Sequence, residues 1–311
     1  MGVVAVRAAW LAAVGLGVAS MLSLGCGGSS GNPTAPTPPP GGGPPPPRGP
    51  TGQTATLVAV GDTGLCGSPG VEQAAKLADA VTDGQVLLVG DLAYYQGTMQ
   101  EFLKCFDPVW GTFRARWRPV PGNHEYDTPG AAGYFQYFGE AASHSGRSFY
   151  SFQAGDWLVV MLDSNIDVGP GSAQYAFVRS EVERHRDFCT LAVWHHPLYS
   201  SGPNGSIASM RDLWKLLYDH NAEIVVSGHD HLYERFGKQD GDGRSDARGL
   251  RQFVVGTGGA NLYDFMRVTP NSQARIKSYG VLRLTLRPNG YDWAFIDSTG
   301  FTADAGSDSC H

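Results

Sequence analysis

From Thr54 onward the chain repeats one pattern: a short apolar run, a Gly-containing polar loop, then a stretch with helical spacing. TATLVAV (54 to 60) leads into GDTG and QVLLV (85 to 89) into GDLAYY, while Val71, Ala74, Ala75, Ala78 and Val81 recur between them at helical spacing. This is a β-α-β unit. WLVVMLD (157 to 163), a helix near 172 to 187, TLAVWH (190 to 195), a helix near 207 to 220 and EIVVSGH (223 to 229) predict a second series. Strands with apolar residues at every position are buried on both faces and joined by covering helices. Towards the C-terminus RQFVVG (251 to 256) is followed by Leu282, Leu284 and Leu286 alternating with Arg283, Thr285 and Arg287, then Pro288-Asn289-Gly290 and YDWAFI. That alternation predicts an antiparallel hairpin with one wet face. The expected fold is a single α/β domain over residues 54–311, two packed mixed β-sheets flanked by helices, with functional residues in loops at the strand ends.

Residues 1–53 read differently. Arg7 precedes an uncharged run, Ala8 to Gly25, which resembles a signal peptide, and Leu22-Ser23-Leu24-Gly25-Cys26 resembles a lipoprotein cleavage box whose Cys26 is lipidated. Residues 27–53 are Gly, Pro, Ser and Thr with almost nothing to bury, so they read as a disordered tether. The expected location is outside the cytoplasm, either attached to a membrane through Cys26 or periplasmic or secreted. The other four cysteines, Cys66, Cys105, Cys189 and Cys310, allow three pairings in an oxidising compartment, and Cys66 with Cys105 and Cys189 with Cys310 are expected. With 42% hydrophobic and 17% charged residues the chain can build a sizeable core, and its net charge of -6 is spread without a basic stripe. A nucleic acid is therefore not an expected partner.

The chemistry lies where the apolar runs end. Asp62 follows in GDTG, Asp91 and Tyr94 in GDLAY, Asn123 in GNHE, His195 in WHHP, and His229 and His231 in GHDH. Hard oxygens mixed with imidazoles suit Fe, Zn or Mn, and a pair of such ions is a standard device for in-line displacement at phosphorus. The two histidines of GHDH, taken as extended backbone, would point the same way. One Asp-Thr-Gly also imitates half of an aspartic protease, but no second copy occurs to share the proton.

In this order the blocks resemble the calcineurin-like metallophosphoesterases. Most members carry a His two residues after the first Asp, where this chain has Gly64; purple acid phosphatases have Gly there and use a tyrosine from GDxxY, here Tyr94. The resemblance to a purple acid phosphatase-like bacterial member implies one metal, Fe(III), on Asp62, Tyr94 and His231. It implies a second, Fe(II), Zn(II) or Mn(II), on Asn123, His195 and His229, with Asp91 bridging. It also implies hydrolysis of small phosphate monoesters with a metal-bound hydroxide as nucleophile. His124 would contact the phosphoryl oxygen and protonate the leaving group, with His196 as a second candidate acid. The chain departs from plant members in lacking their N-terminal β-domain and the further substrate-facing histidines, since Tyr199 to Ser206 contains none. A phosphodiesterase or nuclease with the same metal core is the alternative, and a cell-surface binding protein without turnover a more distant one. Tyr233-Glu234-Arg235 and the glycine-rich Gly256 to Gly259 read as structural, the second as a tight turn beside the site.

Overall fold

The computed structural model describes residues 49–311, so the signal peptide, the cleavage box at Cys26 and most of the tether lie outside the described residues. The strands are β1 (Ala55–Val60), β2 (Gln85–Val89), β3 (Trp117–Val120), β4 (Tyr150–Ala154), β5 (Trp157–Met161), β6 (Cys189–Val193) and β7 (Ile224–Ser227). They continue as β8 (Tyr233–Phe236), β9 (Arg251–Val255), β10 (Ser272–Ile276), β11 (Gly280–Arg287), β12 (Gly290–Asp297) and β13 (Thr302–Ser309). One sheet runs β13-β12-β11-β1-β2-β3, the other β10-β8-β9-β7-β6-β5-β4. β1, β2 and β3 pair in parallel, as do β5, β6, β7 and β9, while the outer strands pair antiparallel. Both sheets are therefore mixed, as the apolar pattern predicts.

Each central strand is buried on both faces, which explains its unbroken apolar run. Leu57, Ala59, Leu87 and Val89 face across to Val159, Leu191, Val193, Val226 and Phe253 between the sheets. The alternate residues Val58, Val60, Val86 and Leu88 turn outward to Val71, Ala74 and Ala78 of the helix Pro69–Asp79 and to Phe102, Phe106 and Trp110. Across the molecule Val160, Ala192 and Val225 meet Val178 and Val182 of the helix Ala173–Arg184 and Leu213, Trp214 and Leu217 of the helix Arg211–Asp219. The result is four layers, helix on sheet on sheet on helix, and each such buried side chain stabilises the fold by about 1.5–3 kcal/mol. The helix Pro69–Asp79 starts at a proline, carries Glu72 in its first turn and Lys76 in its last, and is tied to the site region because Ser68 Oγ donates to the Gly259 carbonyl at 2.5 Å.

Both expected disulfides are present, Cys66–Cys105 and Cys189–Cys310. Ordered contacts begin before Thr54: Asp156, in the turn between β4 and β5, accepts the backbone N–H groups of Thr51 and Gly52, both at 2.6 Å. No helix among the described residues is long and apolar enough to cross a membrane.

Glu223, just before β7, is fully buried and accepts the backbone N–H of His311 at 2.9 Å, with His311 Nδ1 2.8 Å from its other oxygen. Burial pushes the carboxyl up to about 7 and pushes the His311 imidazole down. A carboxyl whose folded value is raised stabilises the fold fully below its unfolded value, and that contribution is lost as the pH rises through about 7. Between pH 5 and pH 8 the wild-type protein should lose stability relative to Glu223→Gln by up to about 3 kcal/mol. Parallel melting curves for the two proteins across that range would refute this assignment.

Candidate metal centre

The loops that close β1, β2, β3, β6 and β7 converge at one end of the sandwich and bring all seven predicted ligands together. Asp62, Tyr94 and His231 form one set: Tyr94 Oη donates to Asp62 Oδ1 at 3.0 Å and lies 3.2 Å from His231 Nε2, which is 3.3 Å from Asp62 Oδ1. Asn123, His195 and His229 form the other, with His195 Nε2 3.2 Å from both Asn123 Oδ1 and His229 Nδ1. Asp91 lies between them, its Oδ2 3.2 Å from His195 Nε2 and 3.5 Å from Tyr94 Oη.

Backbone carbonyls aim the imidazoles. His195 Nδ1 lies 2.8 Å from the Val89 carbonyl oxygen and His231 Nδ1 2.8 Å from that of Asn261, which turns each Nε2 towards the cluster. Asp62, Asp91 and His229 hold φ of 60°, 52° and 71°, a left-handed conformation that costs non-glycine residues free energy and concentrates where function demands it. GHDH is therefore not extended, contrary to the expectation from sequence. Asp230 N–H donates to the Gly228 carbonyl and Leu232 N–H to that of Asp230, two successive tight turns that still direct both histidines inward.

The electrostatics fit cations. Burial alone would raise Asp91, but the charge and hydrogen bond of His195, with His124, outweigh it and hold the carboxyl well below the usual range. Burial alone would lower His195, yet Asp91 and Asp62 keep it at about 10. His229 is pushed down to about 3, by burial and then by His195. Burial and the charges of Asp62 and Asp91 raise the Tyr94 phenol well above its ordinary value. A phenol in a nest of carboxylates ionises only against a strong positive charge, so two carboxylates, a phenol, an amide oxygen and three imidazoles on facing atoms form a donor set made for hard or borderline metal ions.

The structure supplies a steric reason for the pairing of Gly64 with Tyr94. A Cβ on Gly64 would stand 1.8 Å from the Leu92 carbonyl oxygen and 2.8 Å from Ala93 Cα, while Tyr94 N–H donates to the Gly64 carbonyl at 3.3 Å. The loop that delivers the tyrosine packs onto the backbone where a histidine would otherwise sit. Gly256, likewise, would clash with the Asp230 carbonyl, and its Cβ would lie 2.9 Å from Asp62 Oδ2, which fits the reading of 256–259 as a tight turn.

His124 and His196 stand beside the cluster. His124 Nδ1–H donates to the Tyr95 carbonyl at 2.6 Å, and its Nε2 is 3.9 Å from Asp91 Oδ2. His196 lies with its ring 4.6 Å from His229, its Nδ1 2.8 Å from Ser164 Oγ, and its backbone N–H donating to that same oxygen at 3.1 Å. Burial, then His195 and His229, push its imidazole down to about 3.

Several supporting residues escaped the sequence reading. Glu125, fully buried, accepts the N–H groups of Asp91, Leu92, Ala93 and Gly122 at 2.7–3.2 Å and so shapes the GDLAY loop. Its place three residues after Gly122, the spacing of a capping box, was the available signal. Asp230 accepts Ser200 Oγ–H and the N–H groups of Asn204 and Gly205, and Glu234 accepts Ser201 and Ser272. Arg235 pairs with Asp304 of β13 at 2.7 Å, in keeping with the structural reading of Tyr233-Glu234-Arg235.

Purple acid phosphatases are among the known proteins to which this chain is similar. Purple acid phosphatase 23 of Arabidopsis thaliana is 31% identical over 192 residues, 49% of this chain and 42% of that protein. A second Arabidopsis relative, probable inactive purple acid phosphatase 1, is 26% identical over 64% of this chain and 38% of its own length. This chain thus spans less than half of either relative. A purple acid phosphatase from yellow lupin (Lupinus luteus) seeds has the same fold, with a TM-score of 0.71 over 85% of this chain and 55% of that one at 22% identity. The family model for calcineurin-like phosphoesterases matches residues 55–233, more than half of the sequence, and the chain belongs to that family.

Proposed function

We propose that the protein hydrolyses phosphate monoesters at a dinuclear metal centre of the purple acid phosphatase type. The observation that carries the reading is the pair of three-residue donor sets sharing Asp91. Asp62, Tyr94 and His231 would hold Fe(III), the ion a phenolate favours, and Asn123, His195 and His229 a divalent Fe, Zn or Mn. The chemistry such a pair supplies when bound is Lewis acidity towards the phosphoryl group and acidification of water for in-line attack.

The remaining work falls to the chain. His124, anchored through Nδ1 to the Tyr95 carbonyl, has Nε2 3.9 Å from Asp91 Oδ2 and is the residue we assign to protonation of the departing alcohol. His196 is held neutral by its surroundings and suits a hydrogen bond to a phosphoryl oxygen better than proton delivery. Glu125 fixes the loop that carries Asp91 and Tyr94. The two disulfides suit an oxidising compartment, and we read the protein as exported, with Cys26 as its lipid anchor or the folded domain released.

Purified protein should contain about two metal ions per chain and show a visible absorption band that Tyr94→Phe abolishes. A colourless, iron-free protein with full phosphatase activity would overturn the Fe(III)-tyrosinate assignment.

A further inference from the structure

Far from the candidate metal centre, one buried carboxylate oxygen lacks the partner its chemistry calls for. Glu223 is fully buried, and its Oε1 accepts the His311 backbone N–H at 2.9 Å, but its Oε2 accepts no hydrogen bond among the described residues. His311 Nδ1 stands 2.8 Å from that oxygen without lying in line to donate to it. A buried acceptor left so costs free energy unless something else meets it. Beside it are two sulfurs: Cys189 Sγ, Cys310 Sγ and a Glu223 oxygen all lie within 4.8 Å of one another. Thiolates, an imidazole and a carboxylate are the ligands of four-coordinate zinc, whose donor atoms stand about 3.3–3.8 Å apart around the ion.

The fold holds the backbones that carry these side chains. Glu223 N–H donates to the Thr190 carbonyl at 2.9 Å and its own carbonyl accepts the Arg251 N–H at 2.9 Å, while Cys310 N–H donates to the Asn289 carbonyl at 3.1 Å. Cys189 opens β6 and Glu223 precedes β7, whereas His195 and His229 follow the other ends of these two parallel strands. The cluster therefore lies at the opposite end of the sheet from the candidate metal centre and shares no ligand with it.

We infer that, once the Cys189–Cys310 bridge is reduced, Cys189, Cys310, Glu223 and His311 bind one zinc ion, so that a disulfide and a metal are alternative clasps for the same chain segments. A dithiol reductant passes two electrons and two protons to the bridge and becomes a disulfide itself, leaving two thiols. Each thiol releases its proton as its sulfur binds the ion, and Glu223 and His311 bind as carboxylate and neutral imidazole. The inference stands apart from the phosphatase reading, since none of the four residues belongs to that site.

Cobalt(II) tests it, because thiolate ligation gives an intense near-ultraviolet band that oxygen and nitrogen donors do not. Metal-loaded protein should be titrated with cobalt before and after treatment with a phosphine, as wild type, Glu223→Gln, His311→Ala and the double variant Cys66→Ser, Cys105→Ser. The reduced wild type and the reduced double variant should show the band at one added equivalent and lose it to zinc, and the oxidised protein should lack it. Glu223→Gln and His311→Ala should each bind cobalt at least about 10-fold more weakly. No band after reduction, with free thiols confirmed by alkylation, overturns the site, as does its loss in the double variant. A weakening below about 10-fold in either single variant leaves two thiolates alone and overturns it too. Reduced protein that unfolds equally with and without zinc also overturns it, because the metal would then be no clasp.

Discussion

Asp91→Asn is expected to reduce monoester hydrolysis by roughly four orders of magnitude and to lower the content of both metals together. Asp91 reaches both donor sets: its Oδ2 lies beside His195 Nε2 and Tyr94 Oη, while Oδ1 accepts the His124 N–H at 3.0 Å. The substitution removes one of two negative charges that oppose the cations and places an amide N–H₂ among groups that are already donors or lone pairs. The carboxylate has no part in the hydrophobic layers, and its loop is held through backbone N–H groups by Glu125, so folding should survive. Steady-state kinetics on a chromogenic monoester, with metal analysis of the same sample, would check it. Near wild-type turnover with two metals still bound would rule out Asp91 as the shared ligand.

The largest expected effect on stability comes from the opposite end of the chain. Cys310→Ser opens the Cys189–Cys310 bridge, which closes a separation of 121 residues and joins the strand after which it falls, β13 at the edge of one sheet, to β6 inside the other. Chain entropy alone assigns such a loop about 5 kcal/mol, against about 4 for the 39-residue separation of Cys66–Cys105. Denaturant unfolding of wild type and variant, with free thiol alkylated, measures the difference. A loss below about 1 kcal/mol would mean that the unfolded chain is already confined, and the entropic account would fail here.

Strands with both faces covered, such as β1, β2, β5, β6 and β7, were legible because burial forces apolar residues at every position, and the β11–β12 hairpin was legible from its alternation. β13, TADAGSDS, gave no such signal because it is an edge strand whose side chains are partly wet and whose order comes from its ladder with β12. The seven candidate donors were legible because they cluster where apolar runs end, and the pairing of Gly64 with Tyr94 through the resemblance to purple acid phosphatases. Glu125, Asp230 and Ser164 were hidden because they act on backbone amides or on another side chain, relations that only the folded path creates. The geometry of GHDH was misjudged for a related reason: a positive φ at His229 is rarely adopted outside glycine, and local propensity gives no warning where the site imposes it.

β1 lies in the middle of its sheet, with β2 parallel on one side and β11 antiparallel on the other, so that Leu57 faces Gln85 across one ladder and Leu284 across the other. One edge can be filled soon after it is synthesised; the other waits for the last stretch of the chain. During synthesis, therefore, an apolar strand stands with an open hydrogen-bonding edge until β11 emerges, which gives slow, high-contact-order closure and a period of exposure to wrong partners. Any factor that keeps the nascent chain extended until its C-terminus is complete should raise the yield of active protein without altering a single contact in the finished fold.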